Sequence, residues 1–152
     1  MKLTELIANV KTVRQKLADN IYMQNIISDI DANVFIVDAN AEEQLFKQGV
    51  NALGVKIDSY APYKQFTIEQ KKIKGQPYDR VTLRDTGDFE RSFKVIVGKD
   101  SFRVDASDWK AEKLKKKYGQ IFGLTPQNKS KLAKTIVYPD LLLHLKTDLF
   151  RL

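Results

Sequence analysis

The clearest β-signal in this chain stands between two long stretches of helical periodicity, and that placement limits the folds open to it. Phe93, Val95 and Val97 interleave with Lys94 and Ile96. Gly98-Lys99-Asp100 supplies a loop, and Phe102 and Val104 interleave with Arg103 and Asp105 on the return. Alternation of period two around a glycine-containing loop predicts an antiparallel hairpin. Upstream, Leu3, Leu6, Ile7, Val10, Val13 and Leu17 fall at helical spacing and predict an amphipathic helix over 3–18. Asp19-Asn20 ends it, and Ile21, Met23, Ile26, Ile27 and Ile30 predict a second helical stretch. Downstream, Trp109 to Tyr118 reads as a lysine-rich helix closed by Gly119. Thr125 before Pro126 is an N-cap followed by a first-turn proline. Leu132, Ile136, Leu141, Leu142 and Leu145 supply the apolar face of this last helix, which Pro139 should kink or break in two. Helices, a small antiparallel sheet with a hairpin, and more helices make an α+β fold. The 152 residues suit a single domain: a helical region over 3–30, a core over 33–124 and a helical region over 125–150.

The middle of the chain is less regular. Asp31-Ala32-Asn33 interrupts the helical pattern, and Val34-Phe35-Ile36-Val37 reads as a short strand. Asn40 looks like the N-cap of a helix over 41–48, with Glu42 and Glu43 in its first turn and Gly49 at its end. Residues 49–63, which include Tyr60 and Tyr63, read as an ordered loop; a helix over about 64–73 then stops at Gly75.

Residue counts exclude several chemistries. There is no cysteine, so disulfides, zinc fingers and thiol catalysis are out. The single histidine, His144, lies between two leucines in the helical tail, far from any serine in a nucleophile-like turn; a Ser-His-Asp triad is not expected. A transition metal would depend almost wholly on carboxylates, and neither a metal nor a cofactor is expected. The longest apolar runs, Val34–Val37 and Leu141–Leu143, fall far short of the roughly 20 residues that cross a bilayer. The amphipathic N-terminus does not read as a signal peptide. No membrane partner is expected.

Charge is distributed unevenly. Lys110, Lys113, Lys115, Lys116, Lys117, Lys129, Lys131 and Lys134 face a single acid, Glu112, across 110–134, so this segment alone matches the +7 of the chain. Such a patch suits a polyanion or an acidic partner, or is simply a solvated helix face. Lysines flanked only by Trp109 and Tyr118 suit phosphate proximity better than base readout.

The stretch Val81-Thr82-Leu83-Arg84-Asp85-Thr86-Gly87-Asp88-Phe89-Glu90-Arg91-Ser92-Phe93 supports two incompatible readings. Asp-Thr-Gly is the nucleophile triplet of aspartic proteases, in which two carboxylates share a proton. The context argues against that chemistry: Arg84 precedes the triplet, Asp88 follows it, and the protease fold is nearly all β. A structural role needs no chemistry. Thr86 or Asp85 caps a helical turn, Gly87 permits a positive φ, and Phe89 and Phe93 stand one turn apart in the core. Arg84 and Arg91 then flank the segment at the surface.

The order of Leu83, Thr86-Gly87, Phe89 and Ser92, a hairpin, and then Tyr118-Gly119 leading to Ile121-Phe122-Gly123-Leu124 resembles the small head–tail connector and tail-completion (virion morphogenesis) proteins of tailed phages. The version here looks most like those of phages of Bacteroidetes hosts, including crAss-like phages. The resemblance covers about residues 43–126. It departs from the family pattern at Asp88-Phe89, after Thr-Gly, and at Pro62, which is not followed by Leu-Ser. It implies a virion structural protein without catalytic activity. Such a protein is made in the host bacterial cytoplasm and built into the neck or tail as a homo-oligomeric ring between portal, connector and tail neighbours. Genomic DNA passes through such rings, so the lysines are candidates for non-specific DNA contact or for an acidic neighbour. Within the 49–63 loop, Tyr60 and Tyr63 are the candidate ring-interface residues, together with the 93–104 hairpin. The alternative function is a nucleic-acid-binding module that uses the 110–134 segment.

Overall fold

A computed structural model describes residues 1–151 and shows the expected α+β arrangement, with helices at both ends and one two-stranded antiparallel sheet. The N-terminal helix α1 (Leu3–Ala18) turns its Asn9 and Val13 inward against the C-terminal helix. It ends where Asn20 adopts a left-handed conformation, φ 56°, which asparagine tolerates better than most side chains. Helix α2 (Ile21–Ser28) buries Tyr22, Ile26 and Ile27.

Asp29, with extended backbone, separates α2 from α3 (Ile30–Asp38). The break therefore comes before the predicted Asp31-Ala32-Asn33, and the predicted strand Val34–Val37 is helical. Ala32, Ile36 and Ala39 are all buried at helical spacing, and the packing of that face outweighs the β-preference of a four-residue apolar run. The helix does not restart at Asn40. It continues from α3 into a wide π-helical segment, Ala39–Gln48, that ends at Gly49. Gly49 has φ 63°, and a side chain there would meet the Arg80 Cβ at 3.0 Å.

Residues 49–63 form the predicted ordered loop, pinned by an isolated Val50–Lys56 bridge and a 3₁₀ turn, Ile57–Ser59. Helix α4 (Gln65–Ile73) follows, and then a strap leads to the one-turn helix α5 (Asp88–Arg91). The hairpin is as predicted. β1 (Phe93–Val97) pairs with β2 (Phe102–Ala106) in the register Phe93 to Ala106 and Val97 to Phe102, and β1 packs on α2 and α3.

Helix α6 (Ala111–Tyr118) is shorter at its start than predicted and ends at Gly119. Thr125 caps α7 (Pro126–Leu132), its hydroxyl accepting a hydrogen bond from the Asn128 amide at 3.3 Å. The expected break at Pro139 takes the form of a π-turn, Ala133–Val137, between α7 and α8 (Tyr138–Phe150). The proline's missing N–H and its ring fall where the helical register has already changed. Leu142 is 57% exposed, so it does not serve the buried face predicted for it.

Candidate functional site

The strap from Thr82 to Ser92 carries the Thr-Gly motif and is held from three sides. Leu83 sits at φ 60°, a left-handed conformation that costs a leucine about 1–2 kcal/mol. The Tyr63 hydroxyl compensates by accepting hydrogen bonds from the amides of Thr82 (3.0 Å) and Leu83 (3.3 Å). From α4, the buried Lys71 donates to the Arg84 carbonyl at 2.7 Å, its ammonium 5.1 Å from the centre of the Tyr63 ring. Gln76 donates to the Asp85 carbonyl at 2.8 Å.

Asp85, the acid of the Asp-Thr-Gly triplet, is bound to Lys74 at 2.7 Å. That ammonium, helped by Gln76, holds its carboxyl below the usual aspartate range. The pairing ties α4 to the strap and is a folding role for the triplet. Thr86 donates to the Asp88 carboxylate at 2.6 Å, and its own oxygen lies 3.5 Å from the Asp88 amide. The hydroxyl, followed by the Arg91 guanidinium, keeps Asp88 ionised below its ordinary value. Gly87 has φ 87°, and a Cβ there would lie 2.7 Å from an Arg91 nitrogen.

Phe89 and Phe93 meet edge to face with ring centres 5.0 Å apart, and Phe122 closes the trio at 5.9 and 5.1 Å. Ser92 donates to the Phe89 carbonyl at 2.7 Å and accepts from the Asp108 amide at 3.1 Å, joining α5 to the end of β2. The motif is thus a structural corner.

Arg84 departs from expectation. It is half-buried rather than on the surface. Its guanidinium lies 3.8 Å from the Phe46 ring centre, is paired with Glu42, and stands 3.5 Å from Glu90. Glu90 is only 5% exposed, and neither carboxylate oxygen accepts a hydrogen bond within the described residues. Burial pushes its carboxyl up from the ordinary value.

The tyrosines singled out for an interface are engaged inside the chain. Tyr60 donates to the Tyr118 carbonyl at 2.7 Å and accepts from Asn51 at 3.3 Å, while half of its surface stays open. Tyr118 is buried and Gly119 takes φ 73° behind it. The eight lysines do not form one patch. Lys113, Lys116 and Lys117 are exposed on α6, Lys115 pairs with Glu112, Lys110 lies beside Trp109, and Lys134 is exposed on the π-turn. On α7, Lys129 instead borders a cleft of about 710 Å³ beneath the hairpin turn, and Lys131 lies beside Glu43.

Sequence reasoning missed a ladder of buried amides. Asn40 donates to the Ile121 carbonyl at 2.9 Å and accepts from the Gly123 amide at 2.8 Å. Gln44 donates to the Gly123 carbonyl at 2.8 Å and accepts from the Thr125 amide and the Asn128 side chain at 2.9 and 2.8 Å. The two side chains lock the Ile121–Thr125 segment onto the π-helix. Their four-residue spacing was the available signal, but with a helix start placed at Asn40 the pair falls on a cap and a first turn.

No family model matches this chain, and no curated protein or solved structure matches it significantly. Among the described residues, no helix is long and apolar enough to cross a membrane, and no group of three ligating side chains is poised to hold a metal ion.

Proposed function

We propose that the chain is a structural assembly protein that forms an oligomeric ring in the head–tail connector or upper tail of a tailed phage. One observation carries the assembly half of this reading: α1 keeps an apolar row on its outer face. Leu3, Ile7, Val10, Leu17 and, just past its end, Ile21 follow one another at intervals of four, three, seven and four residues, with Arg14 in the longest gap; the row flanks the face that packs on α8, and all are exposed, Leu3 by 72%. An ordered helix that buries one face and leaves a second apolar row in water is built to meet another chain. The phage half rests on the likeness of the Thr-Gly corner, the hairpin and Tyr118-Gly119 to connector proteins. Every motif residue serves the corner's folding, as suits a protein that works by shape. Quantitative mass spectrometry of purified virions from the encoding phage tests the reading. A low copy number, scaled to the portal protein and fitting a ring, is expected; absence from mature particles overturns it.

A second reading has one observation in its favour. Trp109 is 82% exposed, with the Lys110 ammonium 5.6 Å from its ring and the α6 lysines beyond. An open aromatic beside cations is a platform for stacked bases and phosphates. On this reading, single-stranded DNA binds the isolated protein with affinity that falls steeply with salt, and Trp109→Ala weakens it. Binding insensitive to both removes this reading.

A further inference from the structure

The assembly reading leaves open which surface receives the outer row of α1, and charge narrows the choice. On α1, Arg14 stands in line with Leu3, Ile7 and Val10, and Lys11 lies one turn past Ile7. Both cations are exposed, and neither makes an ion pair within the described residues. Glu5, the one acid of the helix, falls midway between Leu3 and Ile7, hence across the helix from them, and accepts from the Lys2 amide at 2.9 Å. A face of aliphatics and cations calls for one of aliphatics and acids. Helix α3 carries such a face. Ile30 (76% exposed) and Val34 (53%) lie opposite the buried Ala32, Ile36 and Ala39. Asp31 and Asp38 run alongside them two turns apart, both exposed and neither in an ion pair within the described residues. A concavity of about 440 Å³ opens beside Val34 and the two aspartates; it also takes in Glu43, which Lys47 holds, and Lys131. Competing apolar surfaces carry the wrong charge. The cleft beneath the hairpin turn is larger, but Lys99, Arg103 and Lys129 line it against Asp100 alone. On α4, the exposed Phe66 and Ile73 stand between Lys64 and Lys72, and Glu69 on that face already accepts from Gln65. On α8, the exposed Leu142 and Leu143 have Lys146 one turn on and Asp140 one turn back, so the charges balance.

We propose that the outer row of α1 in one copy of the chain seats on the outer face of α3 in the next. Ile7 and Val10 meet Ile30 and Val34, and Lys11 and Arg14 meet Asp31 and Asp38. The proposal rests on the assembly reading above and names the partner of the same row. Both helix faces are aliphatic over about two turns, so the contact takes apolar surface of both copies out of water. The Arg14 guanidinium brings a planar fork of donors that suits a carboxylate, and opposite charges fix which face meets which. Donor row and acceptor face are different surfaces of the same chain, so the contact is heterologous, the type that closes into a ring when the rotation permits.

The test is a charge swap read by sedimentation velocity at about 0.1 M salt, where exposed charges are not fully screened. It compares wild type, Lys11→Glu/Arg14→Glu, Asp31→Lys/Asp38→Lys and the chain carrying all four changes. All four positions are exposed, and circular dichroism checks that each variant is folded. Each reversed pair sets like charges against one another and is expected to weaken self-association by at least about tenfold. The chain with all four changes restores opposite charges with the signs exchanged and is expected to regain most of the lost affinity. Should the lysines disturb α3, the nearly isosteric Asp31→Asn/Asp38→Asn takes their place and is expected to weaken association in the same direction. If wild type oligomerises and any folded pair variant associates as tightly as wild type, α3 is not the acceptor while the assembly reading stands. The same holds if the chain with all four changes associates no more tightly than the reversed pairs. If wild type is a monomer at every concentration, the assembly reading falls and the α1–α3 contact with it.

Discussion

The π-helical segment Ala39–Gln48 and helix α1 are both amphipathic helices, and they use their polar and apolar groups in opposite ways. The π-segment buries amides: Asn40 and Gln44 have no solvent exposure, and five hydrogen bonds fasten them to residues 121–128. Helix α1 exposes aliphatics along a row that lies outside the chain's core cluster, while its Asn9 turns inward to the Leu149 carbonyl at 2.9 Å. The first pattern specifies one arrangement of the core, because every misplaced amide there would lie unsatisfied in a dry environment. The second pattern does little for the isolated fold and leaves surface for association. On the assembly reading we propose, stability and recognition are assigned to different helices.

The sharpest way to break this contrast is Gln44→Ala. It strands the Gly123 carbonyl and the Thr125 amide in the core and should cost about 3 kcal/mol or more, read from the urea midpoint. A loss below about 1 kcal/mol would mean that the ladder does not anchor the core.

A second test sits where α1, α2 and α8 meet. Burial, with the Asp148 carboxylate adding to it, pushes the Tyr22 phenol up to about 12. The phenol donates to Asp148 at 2.5 Å, and Lys16, aided by this hydroxyl, holds the Asp148 carboxyl below its usual range. The folded state keeps the phenolic proton longer than the unfolded chain. Its contribution is therefore complete below about pH 10 and is lost as pH rises toward 12. The stability advantage of wild type over Tyr22→Phe should shrink by about 2–3 kcal/mol across that window. Asp148 acts at the other end: its stabilisation is present above the unfolded aspartate value and fades as pH falls through its lowered one. A flat difference between the two proteins at alkaline pH would show that this corner is looser than the hydrogen bond implies.

Tyr63→Phe removes the acceptor for two strap amides and should cost about 1–2 kcal/mol, with faster amide exchange at Thr82 and Leu83. The smallest expected effect sharpens the comparison most. Ile7→Lys/Val10→Lys on the outer row of α1 should change stability by less than about 0.5 kcal/mol, yet reduce self-association in sedimentation. Unfolding by this pair would place the row in the core instead.

Much of the fold was legible where a pattern is long or a signal is local. The α1 helix has several turns of spacing, the hairpin has alternation on both strands, and Thr125-Pro126 states a helix start in two residues. The reading went wrong at 31–48, where the signals are short. Val34–Val37 fits a strand as well as one turn of helix, and Asn40 has the chemistry of a cap. In the Thr-Gly corner the Phe89–Phe93 contact and the positive φ of Gly87 are as expected, but neither Asp85 nor Thr86 caps α5, whose N-cap is Gly87, and Asp85 pairs with Lys74 instead. The half-buried place of Arg84, however, depends on Phe46, Glu42 and Glu90, which come from distant or unpatterned positions.

The sequence by itself determined the helices at the two ends, the hairpin between them and the excess of positive charge, because propensity, periodicity and charge are sums over neighbouring residues. Only the tertiary structure decided that residues 30–48 are one helix that changes from α to π, that its amides grip the segment after Tyr118-Gly119, and that Glu90 is buried beside Arg84. Those outcomes turn on hydrogen-bond partners some 80 residues apart in the chain, as between Asn40 and Ile121, and on which groups water can still reach. Neither is a property of any local stretch of sequence.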